Sequence, residues 1–118
     1  MYERHEIGKI GEDIVTKYLE NKGYKIIQRN FECKQGEIDI IALERNEVVF
    51  IEVKTRTSKK YGCAKEAVNE YKKKHLLNSV KYYVYLNNLL DAFIRIDVVE
   101  VYLYKNKAYI NHIKQAID

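Results

Sequence analysis

The chain has no proline and only two cysteines, Cys33 and Cys63, among its 118 residues. It also has no repeat and no low-complexity tract, so no stretch reads as a linker. Two cysteines are too few for a disulfide framework. Neither lies in a metal-type spacing, which excludes a four-cysteine zinc site. No apolar run approaches the ~18 residues of a membrane-spanning helix. The opening MYERHEIGKIGED mixes both charge signs and lacks the apolar stretch of a signal peptide. The expected location is the cytoplasm, with no membrane partner.

Hydrophobic residues make up 47% and charged residues 32%, the balance of a globular chain rather than a disordered one. At this length one domain over 1–118 is expected, burying roughly two-thirds of the surface its unfolded chain exposes. The net charge is +4, but its distribution is uneven. Residues 54–75 hold eight Lys/Arg against Glu66 and Glu70, a local charge of +6, so the remainder is −2. A basic patch on a near-neutral body suits a polyanion partner; a lysine-rich solvated face is the plainer reading.

Ile7, Ile10, Ile14, Val15, Tyr18 and Leu19 recur at helical spacing, and Gly23 supplies a stop, which predicts a helix over His5–Lys22. Tyr24–Arg29 reads as a short strand, and Asn30–Gly36 as a turn region with some extended pairing around Phe31. Glu37–Glu44 and Glu47–Lys54 are rich in β-branched residues and flank Arg45-Asn46, the signature of a hairpin. Thr55–Cys63 is a basic loop, and Ala64–Asn87 carries a second helical pattern. Phe93–Tyr104 and Ala108–Ile113 are strands joined by a turn at 105–107. The order is α-β-β-β-α-β-β.

With Arg45-Asn46 as the loop, Asp39 faces Glu52 and Glu37 faces Lys54. Alternation along the strands puts these four on one face with Ile41, Leu43, Val48 and Phe50. The other face, Ile38, Ile40, Ala42, Val49, Ile51 and Val53, is wholly apolar and is the expected core. Opposed carboxylates are destabilising unless something compensates them. A divalent cation would do so, since Mg²⁺ takes oxygen ligands. So would Lys54 with water, or a cross-strand Glu37–Lys54 pair at a sheet end.

Asp39 followed by Glu52-Val53-Lys54 resembles the D…ExK pattern of PD-(D/E)XK nucleases, whose core order is α-β-β-β-α-β. More closely, the chain resembles the YraN family. The matching residues include Gly11-Glu12, Gly23-Tyr24, Arg29-Asn30, Gly36 through Ala42 (GEIDIIA) and Phe50 through Arg56 (FIEVKTR). Tyr61-Gly62, Glu66-Ala67-Val68, Lys72, Ile96-Asp97-Val98-Val99 and His112-Ile113 complete it. The match spans essentially the whole chain. Ile96 and Ile117 depart from the usual aromatics at those places, away from the acidic residues.

The resemblance implies an α/β, restriction-endonuclease-like fold, a central mixed sheet flanked by helices, similar to archaeal Holliday junction resolvases. It implies catalysis by Asp39, Glu52 and Lys54, with Mg²⁺ (or Mn²⁺) held by Asp39, Glu52, the Val53 carbonyl and waters. Lys54 would orient the attacking water or neutralise charge on the phosphate. Glu12 is either a further metal ligand, as in resolvase-like relatives, or a solvated helix residue. Glu37 is expected to support the site rather than ligate. Gly8 and Gly11 would let the first helix approach the sheet closely.

Arg56, Lys59 and Lys60 are placed to bind DNA phosphates, and Lys72 to reach the site from the second helix. Tyr82, Tyr83 and Tyr85 are candidates for base stacking, with core packing the stronger reading. His5, His75 and His112 have no partner spacing and read as ordinary. The leading expectation is a metal-dependent DNA endonuclease on branched or damaged DNA. A non-catalytic nucleic-acid-binding protein of this fold and a protein-interaction domain are the alternatives. Resolvases act as dimers because a junction has two symmetric scissile sites, so a homodimer is also considered.

Overall fold

The structure, a computed structural model, describes residues 4–57 and 70–117. The elements are α1 (Arg4–Asn21), β1 (Lys25–Cys33), β2 (Gly36–Glu44), β3 (Glu47–Arg56), α2 (Glu70–Leu86), β4 (Phe93–Tyr104) and β5 (Lys107–Ile117). The five strands form one sheet in the order β1-β2-β3-β4-β5. All neighbours are antiparallel except β3 and β4, which run parallel. A parallel pair needs a crossover, and α2 lies in that connection. The α-β-β-β-α-β core expected from the sequence is therefore present, with β5 added at one edge. No described helix is long and apolar enough to cross a membrane.

Gly23 ends α1 as expected. Its φ of 93° is a left-handed conformation that costs glycine little. The Tyr24 N–H then reaches back to the Leu19 carbonyl and the Gly23 N–H to that of Glu20, both at 3.0 Å. The chain emerges from this cap directed into β1.

The sheet has two cores, not one. Val15 and Leu19 of α1 pack with Tyr24 on Ile40, Ala42, Val49, Ile51, Val53, Val99 and Val101. On the opposite face, Leu76, Val80, Tyr83 and Val84 of α2 pack on Ile38, Ile41, Val48, Phe50, Ile96 and Val98. The face that carries Ile41, Val48 and Phe50 is thus covered by the crossover helix, as a parallel strand pair requires.

Three strands are longer than their composition suggests. β1 continues through the predicted turn to Cys33, with Phe31 opposite Ile38. Phe31 is held there by edge-on contact with the Tyr83 ring at 5.1 Å. β5 runs four residues past Ile113 to Ile117, which pairs with Ile96 and is buried. β3 likewise runs two residues past Lys54, so Thr55 and Arg56 are strand rather than loop; the predicted helix start at 64–69 and residues 58–63 of the loop lie outside the described residues.

Candidate active site at the fork between two strands

β2 and β3 pair in the predicted register, Ile40 with Ile51 and Ile41 with Phe50. The ladder stops at Ile40–Ile51, and β2 then turns away from β3. Ile38 accordingly packs in the α2-side core while Ile40 packs under α1. Strict alternation, which put both on one face, fails at the residue between them. That residue is Asp39. Its Oδ2 accepts the Val53 N–H at 2.8 Å, so its carboxylate lies in the gap between the diverging strands.

Asp39 is 7% exposed. Burial, followed by the charge of Glu52 and a hydrogen bond shared with it, pushes its carboxyl up to about 8. The Val53 N–H and the Lys54 ammonium pull the other way and do not prevail. Glu12 and Glu37 are also raised, first by burial and next by the Asp39 charge. These four acids share one cleft of about 370 Å³, roofed by Ile7 and Gly8 of α1.

Lys54 lines the same cleft, with Nζ 3.9 Å from Glu52 Oε1. That distance is loose for an ion pair and leaves the carboxylate incompletely compensated. Arg56, two residues on, also lines the cleft. Its Nε is buried and has no hydrogen-bond partner among the described residues. A buried orphan donor is uncommon, and Arg29 Nε is a second one among the described residues. Lys72 lines a second hollow across Glu52 and Lys54, beneath α2. Lys59 and Lys60 lie outside the described residues.

The α1 roof depends on Gly11. A Cβ there would overlap the Thr55 side chain at the end of β3. Gly8 differs from expectation: a Cβ at that position would meet nothing, because it faces the open cleft. Glu12 turns partly from Asp39 toward Arg29, with Oε1 3.7 Å from Nη2. Among the described residues no three His, Cys, Asp or Glu side chains gather at metal-binding geometry. The donor set nevertheless fits a hard cation. It is all oxygen, it is centred on Asp39 and Glu52, and Mg²⁺ is commonly held by one or two carboxylates with waters.

The sequence reading missed a second polar assembly at the other end of the sheet. Asp97 is fully buried. It accepts from Arg95 Nε at 2.9 Å, from the Gln115 N–H at 2.9 Å and from His112 Nε2 at 2.7 Å. With Nε2 protonated toward Asp97, His112 Nδ1 accepts the Tyr18 hydroxyl at 2.9 Å. Arg95 also bonds Glu44 at 2.9 Å and Glu47 at 3.0 Å, so its guanidinium bridges the two acids that oppose each other at the hairpin tip. Burial pushes Asp97 up, but the His112, Arg95 and Gln115 bonds outweigh it and hold its carboxyl low. His112 is therefore part of a buried network, and sequence spacing gave no sign of it. The only signal was Asp97 itself, an acid inside an apolar strand.

A profile described as "Uncharacterised protein family UPF0102" matches residues 11–101. Similar proteins include a UPF0102 protein of Caldanaerobacter subterraneus subsp. tengcongensis, 44% identical over 93% of this chain and 93% of its own. Another, from Caldicellulosiruptor saccharolyticus, is 45% identical over 96% and 98% of the two chains. A third, from Carboxydothermus hydrogenoformans, is 37% identical over 98% of each. A solved structure titled "Crystal structure of SSO0001" overlaps loosely, with a TM-score of 0.36 and 18% identity over 93% of this chain. The overlap spans 51% of that longer chain. With a family profile covering most of its length and full-length relatives at this identity, the chain belongs to the UPF0102 family, the YraN-like family its motifs resemble.

Proposed function

We propose that the protein is a metal-dependent endonuclease that hydrolyses phosphodiester bonds in DNA, in the manner of PD-(D/E)XK enzymes. The observation that carries this reading is Asp39. A carboxylate wedged into the fork of two strands, beside Glu52 and raised to about 8, is an arrangement that costs stability. A structural role would call for a compensating cation within the protein, and Lys54 stands 3.9 Å from the wrong carboxylate. An added divalent ion, Mg²⁺ or Mn²⁺, resolves the repulsion.

Asp39 and Glu52 would hold that ion, with Glu12 facing it from α1. When bound, such an ion supplies Lewis-acid charge to the phosphate and acidifies a water. Lys54, on the same strand and in the same cleft, adds positive charge where the phosphorane forms and can orient the attacking water. Arg56, which lines the same cleft, offers its guanidinium to a non-bridging phosphate oxygen. Glu37, next to Asp39 in the cleft, adds negative charge that strengthens cation binding.

Cleavage of duplex, single-stranded, flap and four-way DNA, assayed with Mg²⁺ and with Mn²⁺, tests the proposal. Wild type should cut at least one form, and Asp39→Asn and Lys54→Ala should cut none. DNA binding without cleavage of any form would reduce the protein to a binding module.

A further inference from the structure

Glu52 and Lys54 border two hollows. One is the acidic cleft under α1. The other, of about 280 Å³, lies under α2 and is walled by Tyr71, Lys72, His75 and Leu76. Tyr71 is 72% exposed, far more than the α2 tyrosine that packs in the core, Tyr83. Its ring is not left loose. It lies 4.4 Å from the His75 ring, tilted by 56°. The His75 ring is itself fixed, because its Nδ1–H donates to the Gln35 carbonyl at 2.7 Å. That carbonyl belongs to the β1–β2 turn, just before the acid-bearing strand. The platform and the acids are therefore tied to one frame.

We propose that this second hollow receives an unpaired nucleotide, its base stacked on Tyr71, while the adjoining phosphate sits at the acidic cleft. The inference rests on the nuclease reading and adds to it the side chain that selects interrupted over continuous DNA. In continuous duplex each base is already stacked between neighbours and cannot offer a face to a side chain. An aromatic ring in a hollow that shares Glu37, Glu52 and Lys54 with the acidic cleft gains a partner only at a gap, a flap, a mismatch or a branch. The ring sits beside Lys72, so a strand entering this hollow meets a cation and an aromatic together, the pairing used by single-strand grooves. The sequence pointed instead to Tyr82, Tyr83 and Tyr85, none of which lines either hollow.

The test uses a duplex with a three-nucleotide gap carrying 2-aminopurine, and an uninterrupted duplex of the same sequence. Binding is measured with Ca²⁺ in place of Mg²⁺, and cleavage with Mg²⁺. Wild type and Tyr71→Phe should quench 2-aminopurine and prefer the gapped DNA by roughly 10- to 100-fold, the range of one base–aromatic stack. Tyr71→Ala, at an exposed position, should melt as wild type does while losing both the quench and the preference. Unchanged preference in Tyr71→Ala overturns the inference. So does cleavage of both DNAs by wild type without preference, although the nuclease reading then stands. Failure to cut any DNA removes the nuclease reading, and the stacking inference with it.

Discussion

The Asp39 carboxylate takes the Val53 N–H at 2.8 Å, across the point where β2 and β3 part. A ladder that continued would have satisfied that N–H with a backbone carbonyl. Here a side chain does so, which lets β2 bend away without orphaning a buried donor. The same bond holds Asp39 against Glu52 and inside the protein. Geometry that completes the backbone thus also creates the like-charge pair.

Burial of Asp39, reinforced by the Glu52 charge beside it, makes stability fall as pH rises. Asp39 keeps its proton to about pH 8 in the folded protein, whereas the unfolded chain releases it near the ordinary carboxyl value of 3.8. The folded state therefore holds more protons between those values. The contribution is fully present below the unfolded pKa and is lost as pH rises through about 8, with a slope of at most ~1.4 kcal/mol per pH unit. Asp39→Asn keeps an acceptor for Val53 and removes the charge. Denaturant unfolding without divalent ions should show this variant gaining on wild type from pH 5 to pH 8. A constant difference across that range would mean that the folded protein does not hold Asp39 protonated.

Divalent ions should reverse the ranking. Mg²⁺ or Mn²⁺ at 100 times its dissociation constant should stabilise wild type by about 2.7 kcal/mol, read as a rise in Tm. The rise should shrink as pH drops, because binding needs deprotonated carboxylates and releases protons. Asp39→Asn should show no rise. A wild-type response in that variant would place the ion elsewhere.

The two glycines of α1 should behave oppositely. Gly11→Ala forces a Cβ into Thr55, displacing the helix over the cleft, at a cost of about 1–3 kcal/mol and with loss of cleavage. Gly8→Ala meets open space and should be neutral or stabilising by up to ~1 kcal/mol, from helix propensity alone. Thermal melts of the two single variants decide the matter.

Asp97→Ala should be among the most damaging changes in the chain. It leaves Arg95 and His112 facing a vacated buried position, a loss on the order of 3–5 kcal/mol. The Gln115 N–H loses its acceptor too, so amide exchange should accelerate first over 113–117. Because the folded carboxyl is held low, its stabilisation is present at neutral pH and is lost as pH falls through that depressed value. Uniform exchange along β5 would refute this anchoring role.

Arg56→Ala should weaken DNA binding and lower the log–log salt slope by about one unit, the share of a single phosphate contact. Titrations at several salt concentrations measure it. An unchanged slope would mean that Arg56 does not meet the backbone.

The sequence alone determined the central hairpin. β-Branched runs on either side of Arg45-Asn46 allow one register, since a slip by one residue would exchange every side chain between faces. The register, which holds as far as Ile40–Ile51, left Asp39 and Glu52 adjacent at its open end and, with the motif, was enough to locate the candidate site. Helix α1 was equally legible, because its apolar spacing and the Gly23 cap are both local. Tertiary contacts decided the rest. β5 reaches Ile117 because a carboxylate 18 residues earlier accepts the Gln115 N–H. His112 joins Tyr18 across 94 residues, a distance no periodicity spans. The fork at Asp39 breaks the alternation that the hairpin otherwise obeys, because the second helix draws Ile38 into its own core. Tyr71 stands by the acids rather than in the core because the β1–β2 turn fixes the imidazole beside it. Local pattern sets which residues face one another across a turn; packing between distant elements sets where a strand ends, where it bends and which side chains meet at the bend.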